Sequence, residues 1–284
     1  MDKYETPRID AHHHLWSYSA TEFDWLQGDL AMLRRDFLVP DLMQAMRSAS
    51  VTGAVAVQAR QTVAETDWLL QMSAHRDEIA GVVGWLPLAD ASFKAVLEPY
   101  LSHPRLKGLR HVVQGEPAGF MDGVAFDRGI SSLAGTGLVY DLLIHAGQLQ
   151  EATRLVDRHP KQSFVLDHVA KPKIAAGELE PWRTHLLALA KRPNVTCKVS
   201  GMVTEAGASW TAALLEPYFD VVLEAFSPQR LMIGSDWPVL TAHCTYASWW
   251  RVVEGWIAAL SVDEQAAMLG GTVMRTYRLA LSGM

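Results

Sequence analysis

Three consecutive histidines, His12-His13-His14, close an apolar run that opens at Ile9. Alternate side chains of a strand share a face, so His12 and His14 point one way and His13 the other. Two imidazoles at one strand end can grip a divalent ion or donate hydrogen bonds to one substrate oxygen. The plainer alternative is a pair of buried histidines satisfied by backbone. A carboxylate ends a second apolar run, Leu231-Met-Ile-Gly-Ser-Asp236-Trp-Pro238. Asp236 can ligate a metal or take a proton from an attacking water; alone, it would read as a turn-opening Asp. His168 ends Phe164-Val-Leu-Asp-His168 and is expected at the same rim, orienting water or polarising a carbonyl. Asp167 is expected on the opposite face, as a structural residue.

Cationic and polar residues end further runs. Arg110, in Lys107-Gly-Leu-Arg110-His111, offers a planar fork for carboxylates or oxyanions. Lys198, in Cys197-Lys198-Val-Ser200-Gly201, suits a hydroxyl or carboxylate, and His145 ends Leu142-Leu-Ile-His as a further ligand or contact. Gln58 and Arg60 add an amide and a guanidinium for binding. The expected substrate-binding set is Arg110, His111, Lys198, Gln58, Arg60, Trp16, Trp25 and His145, although Arg110 and Lys198 read equally well as ordinary ion-pair partners. His75, His103, His159, His185 and His243 lie in helical or loop stretches and receive no role.

These termini need a frame that brings them together. Eight β-rich runs are readable: Arg8–His14, Thr52–Gln58, Ile79–Leu86, Leu106–His111, Val139–His145, Ser163–His168, Asn194–Val199 and Arg230–Ser235. Amphipathic stretches separate them: Asp41–Ser50, Ala64–Arg76, Phe93–Ser102, Gln148–Arg158, Glu180–Lys191 and Trp210–Ala225. Two more helical stretches follow, Thr245–Leu260 and Asp263–Leu281, the latter opening on the capping box Ser261-Val-Asp-Glu264. Alternating β and α elements imply parallel strands with crossover helices. No Gly-rich fingerprint follows the first strand, as an open dinucleotide-binding sheet would show. The expectation is an α/β chain forming one (β/α)8 TIM barrel over residues 1–284, with a long aromatic first βα loop and extra C-terminal helices. That loop, Leu15–Pro40, carries Trp16, Tyr18, Phe23, Trp25 and Phe37, and reads equally as a pocket wall or as a plug.

The 284 residues suit one such barrel, which takes about 250. Hydrophobic residues at 49% supply a large core, and a net charge of −6 without a basic cluster argues against nucleic acid as a partner. Cys197 and Cys244 show neither metal spacing nor a disulfide framework. No run approaches the roughly 18 apolar residues that span a bilayer, and the opening residues carry no basic-then-apolar leader. The expectation is a cytoplasmic protein without a membrane partner.

Taken in order, Asp10-Ala-His12-His-His14-Leu-Trp16, Gly108-Leu-Arg110-His111, Val165-Leu-Asp-His168, Cys197-Lys198-Val-Ser200-Gly201 and Gly234-Ser-Asp236-Trp-Pro238 resemble the amidohydrolase superfamily. More narrowly, they resemble its sugar-acid lactonase branch, such as L-fuconolactonase and L-rhamnonolactonase, which is related to the pyrone-dicarboxylate lactonases. The resemblance implies a (β/α)8 barrel that opens the ring of a sugar-acid lactone. It implies Asp236 as the base that activates water, with His12, His14 and His168 around the carbonyl or a metal. One divalent ion, Zn2+, held by His12, His14 and Asp236, is the implied cofactor, although some relatives work without one. Binuclear members place a modified lysine between two metals, and no lysine stands at the fourth or fifth strand end to match it. The expected partner is a small-molecule lactone, and the chain is expected as a monomer or homodimer. Two rivals share the barrel: a mononuclear-metal decarboxylase of an aromatic or unsaturated acid, with Arg110 on the carboxylate, and a sugar-binding barrel without catalysis.

Overall fold

In the computed structural model, which describes residues 7–280, the sequence closes into an eight-stranded parallel sheet in chain order. The strands are β1 (Ile9–His13), β2 (Gly53–Val57), β3 (Ile79–Gly84), β4 (Leu106–His111), β5 (Val139–Leu142), β6 (Phe164–Leu166), β7 (Val195–Val199) and β8 (Leu231–Ile233). All eight expected strands are present, and most are shorter than expected. Strands β6 and β8 keep three residues each because the chain soon leaves the extended region, at φ 51° for His168 and 60° for Asp236.

Alternation divides the apolar residues into two cores. Ile9, Ala11, Val55, Val57, Val83, Val139, Val165 and Met232 fill the barrel interior, closed from below by Val273, Tyr277 and Leu279. Their outward neighbours pack against the helical shell: α1 (Val39–Arg47), α2 (Val63–Ser73), α3 (Phe93–Leu97), α4 (Val124–Leu133), α5 (Leu149–Arg158), α6 (Trp182–Ala190), α7 (Met202–Ala206), α8 (Ala212–Phe226) and α9 (Tyr246–Ile257). Helix α1 starts two residues before the expected Asp41. Pro40 is tolerated in a first helical turn, and the Asp41 carboxylate accepts from the Leu38 N–H at 3.1 Å. Helix α4 was not legible, because Gly129 interrupts it. A Cβ there would stand 2.1 Å from the Leu88 carbonyl oxygen, so the glycine serves packing against propensity.

The last expected helix is three joined pieces, α10 (Val262–Ala266), a wide turn at Ala267–Gly271, and α11 (Thr272–Tyr277). The Ser261–Glu264 capping box is formed. The expected end at Leu281 lies outside the described residues. No helix among the described residues is long and apolar enough to cross a membrane.

The first loop does both of the things expected of it. Trp16, Phe23 and Phe37 are buried, with the Phe37 and Phe23 rings packed on Trp16 at centroid distances of 5.3 and 5.6 Å, while Trp25 is 38% exposed and faces the barrel mouth.

Strand β1 meets β8 through a carboxylate. The register of β1 on β2 slips between Asp10 and His13. Asp10 therefore turns to the shell while His12 and His14 return to the interior. Asp10 Oδ1 accepts from the N–H groups of Ser235 (2.8 Å) and His12 (3.1 Å), and Oδ2 accepts from the hydroxyls of Ser235 (2.5 Å) and Tyr246 (3.0 Å). Beyond it, the Asp236 N–H donates to the His12 carbonyl at 2.8 Å and the His14 N–H to the Trp237 carbonyl at 2.6 Å. Replacing Asp10 by Ala strips four buried donors of their acceptor. We expect a loss of about 2–4 kcal/mol in urea unfolding; a loss below about 0.5 kcal/mol would show that the seam does not need the carboxylate.

Candidate active site

Side chains from β1, β6 and β8 converge at the C-terminal mouth of the barrel, where parallel strand ends conventionally build sites. His12 and His14 arrive from β1 after the register slip. Asp236 arrives on a left-handed turn anchored to the His12 carbonyl. His168 arrives by breaking the alternation. Val165 faces inward, so strict alternation puts Asp167 inward and His168 out. Positive φ at four successive residues, 51°, 48°, 61° and 50° for His168 to Lys171, swings the imidazole back over the mouth. Left-handed non-glycine residues cost roughly 1–2 kcal/mol each, and such runs persist where the surroundings over-determine them. Gly201 provides the room, since a Cβ there would come within 2.8 Å of the His168 side chain. Asp167 is thus not an outward structural residue, as alternation from His168 implied, but an inward one.

The centre of the group is crowded with lone pairs. His14 Nδ1 donates to the Val57 carbonyl at 2.7 Å, which leaves the lone pair of the uncharged ring on Nε2. That Nε2 lies 3.3 Å from His12 Nε2 and 3.3 Å from Asp236 Oδ1. Asp236 Oδ1 is also 3.8 Å from His12 Nε2 and 3.9 Å from His168 Nε2. Ligand atoms of His12, His168 and Asp236 all lie within 4.8 Å of one another. Lone pairs this close repel unless a proton or cation sits among them, and three imidazoles with one carboxylate form a donor set that Zn2+ takes. The residues therefore fit the implied metal.

Burial keeps the imidazoles of His12 and His168 uncharged. It lowers His12 well below the ordinary histidine value despite Asp167, and it lowers His168 to about 4 despite Asp236 and Asp167. Burial would raise Asp236, but His168, His14 and His12 outweigh it and hold the carboxyl well below the usual carboxylate range. At neutral pH the site presents an ionised Asp236 beside the uncharged imidazoles of His12 and His168.

Beneath it lies a buried quartet of charges. Lys198 Nζ donates to Asp141 Oδ2 at 2.6 Å and lies 3.0 Å from Asp167 Oδ1. Arg110 donates to Asp167 Oδ2 at 3.1 Å and to the Gln58 carbonyl. Tyr277 of α11 donates its hydroxyl to the Asp141 carboxylate from below. His12 rests on this layer, its Nδ1 at 3.2 Å from Lys198 Nζ and 3.4 Å from Asp167 Oδ1. Asp141 gave no signal in the sequence, because it sits mid-run with its partners on other strands.

A cavity of about 620 Å³ opens above, and His14, His168 and Asp236 line it. Of the expected binding residues, Arg110, Arg60 and Trp25 also line it. The others lie elsewhere. Lys198 is fully buried in the quartet, and Gln58 is buried with its amide donating to the Arg110 carbonyl. His111 lies against Phe120, with its ring nitrogens on Trp85 and Glu116. Trp16 is buried with its indole donating to the Arg35 carbonyl, and His145 is exposed at the start of the turn before α5. Strand-end position alone does not separate a residue at the mouth from one a layer below or outside it. Glu22, Lys171, Thr204 and Glu205 line the cavity from loops and α7, without a strand-end signal.

Residues 9–279 match the family model described as Amidohydrolase. The chain is 38% identical to an L-fucono-1,5-lactonase of Burkholderia multivorans and 33% identical to one of Burkholderia ambifaria, with 96% of each chain covered in both comparisons. It is also similar to a crystal structure of an amidohydrolase from Burkholderia multivorans with bound zinc. The TM-score is 0.91 at 37% identity, covering 96% of this chain and 100% of that one.

A group that resists protonation in the folded chain makes stability depend on pH. The unfolded chain protonates His168 near 6.5, the folded one only near 4. Stability of the chelator-treated protein should therefore fall as pH drops from about 6.5 to about 4, with His168 contributing on the order of 3 kcal/mol. His168→Gln should flatten this slope in urea titrations at stepped pH, and an unchanged slope would contradict the assignment.

Proposed function

The chain belongs to the amidohydrolase family, and from that premise we propose that it opens the ring of a sugar-acid lactone, with Asp236 as the base. It is a carboxylic ester hydrolase acting on a small-molecule lactone. The observation that carries the reading is an ionised Asp236 on the wall of a cavity of about 620 Å³, with His14 and His168 beside it on that wall and His12 behind them. Curated relatives at 33% and 38% identity over nearly the full length are L-fucono-1,5-lactonases, which supports the same chemistry here.

The lactone lies in the cavity with its carbonyl over Asp236. Asp236 takes a proton from water as the water oxygen bonds to the carbonyl carbon. With Ser200 donating to its Nδ1 (2.8 Å apart), His168 turns an Nε2–H toward the developing oxyanion. The ring carbon–oxygen bond then breaks, and the ring oxygen takes the proton back from Asp236. One water is consumed, and the product is an open-chain hydroxy acid. His12, His14 and Asp236 are the residues that would hold a zinc ion, with His168 left to face the oxyanion; the ion would supply Lewis-acid polarisation of the carbonyl or water. A lactone is an activated ester, and each 1.36 kcal/mol taken from its barrier is about tenfold in rate.

The cations at the mouth favour a lactone over the decarboxylase reading. Arg110 is paired with Asp167, and Arg60 with Glu22 and Glu65, while Lys171 lies 3.9 Å from Glu205. Arg110 and Arg60 are already paired, and the lining carboxylates Glu22, Asp24, Glu205 and Asp236 outnumber the cations Arg60, Arg110 and Lys171, so a neutral polyhydroxylated ring suits the cavity better than an anionic acid.

The test is Asp236→Asn, with L-fucono-1,5-lactone hydrolysis followed by proton release. The expected loss in kcat is about 10²–10⁴-fold, the usual worth of a general base; activity within about tenfold of wild type would exclude Asp236 as the base. Chelation followed by zinc addition tests the metal separately. A fall and recovery of kcat/KM is expected, and an unchanged rate in protein shown to be zinc-free would remove the ion from the account.

A further inference from the structure

Helix α7 follows β7 directly and places Thr204 and Glu205 side by side on the cavity wall. Among the described residues, Thr204 Oγ1 is buried and meets no hydrogen-bond partner, and the same is true of Gln114 Oε1 in the loop after β4, which lines the same cavity. Glu205 keeps only 24% of its side chain exposed, and the cation beside it, Lys171 Nζ, lies 3.9 Å away, beyond direct hydrogen-bond range. Burial pushes the Glu205 carboxyl up and Asp236 adds to this, while Lys171 pulls it back. Polar atoms left in this state wait for donors from outside the protein, because buried groups without partners cost about 1–3 kcal/mol each.

We propose that Thr204 and Glu205 form a hydroxyl-recognition subsite through which the enzyme selects a polyhydroxylated lactone over a bare one. The inference rests on the lactonase reading and adds to it the residues that read the ring substituents. A carboxylate only accepts, a threonine hydroxyl accepts and donates, and a sugar hydroxyl does both. Ring hydroxyls therefore satisfy Glu205 and Thr204 together without bringing in charge. A carboxylate substituent on the ring would meet Glu205 and Asp236 as like charges. A lactone without hydroxyls would leave both groups unpaired in the closed complex, the situation in which discrimination by a hydrogen-bonding site is greatest. Lys171 offsets the Glu205 charge yet stands far enough away to leave the carboxylate oxygens open.

The experiment compares kcat/KM for L-fucono-1,5-lactone with that for δ-valerolactone, which carries the same ring without hydroxyls, in wild type, Glu205→Gln and Thr204→Val. The ratio of the two values should fall at least about tenfold in Glu205→Gln and several-fold in Thr204→Val, chiefly through KM for the sugar lactone. A ratio within about twofold of wild type in both variants overturns the subsite, whether the two activities persist or decline together. Thr204→Val removes a hydroxyl that holds nothing among the described residues, so it carries the same readout should Glu205→Gln fail to fold. A wild type that opens neither lactone sinks the lactonase reading and this inference with it; an active wild type with unchanged ratios in the variants sinks the subsite alone.

Discussion

The carboxylate of Asp10 holds the first strand to the last, and the site depends on that junction. A barrel of eight strands must close somewhere, and here three-residue β8 offers little ladder to close on. Asp10 substitutes for ladder bonds by collecting donors from β1, from Ser235 and from the outer helix α9. Two of the three imidazoles and the Asp236 carboxylate hang from the chain just beyond it. The main-chain bond from Asp236 to the His12 carbonyl then sets one ligand-bearing turn directly against the other.

Charge is arranged in layers along the barrel axis. Two cations, Lys198 and Arg110, alternate with two carboxylates, Asp141 and Asp167, in the lower layer. Lone ions at that depth would be prohibitive, and mutual pairing is what makes them tolerable. His12 stands on this layer with cations near both ring nitrogens, Lys198 at Nδ1 and Arg110 at Nε2. The upper layer then carries three imidazoles, those of His12 and His168 uncharged, around one ionised carboxylate. Such a site can take a proton from water and polarise a carbonyl, and it asks little of an ester already strained toward opening.

Much of this was readable from the sequence. The period-two spacing of His12 and His14 and the abrupt polar ends at His168 and Asp236 identified strand termini, and parallel topology gathers strand termini at one rim. What was not readable depended on depth and register. Arg110 and Lys198 look like hands for substrate in one dimension; the structure commits them to Asp167 and Asp141, residues supplied from two strands away around the barrel and 57 positions off in sequence. His168 reaches the mouth only because four left-handed residues override alternation, which also reverses the expected side for Asp167. Thr204 and Glu205 ride a five-residue helix after β7, where neither hydrophobic period nor strand end marks them. Gly129 hid a whole helix for a reason of packing.

The central claim is that Asp236 and the imidazoles of His12, His14 and His168 together surround the reacting carbonyl. A crystal structure of the Asp236→Asn variant soaked with L-fucono-1,5-lactone tests it most directly. The account predicts intact lactone with its carbonyl carbon against residue 236 and its carbonyl oxygen facing the imidazoles. A ring bound with its carbonyl turned out toward the first loop, away from all four side chains, would contradict it.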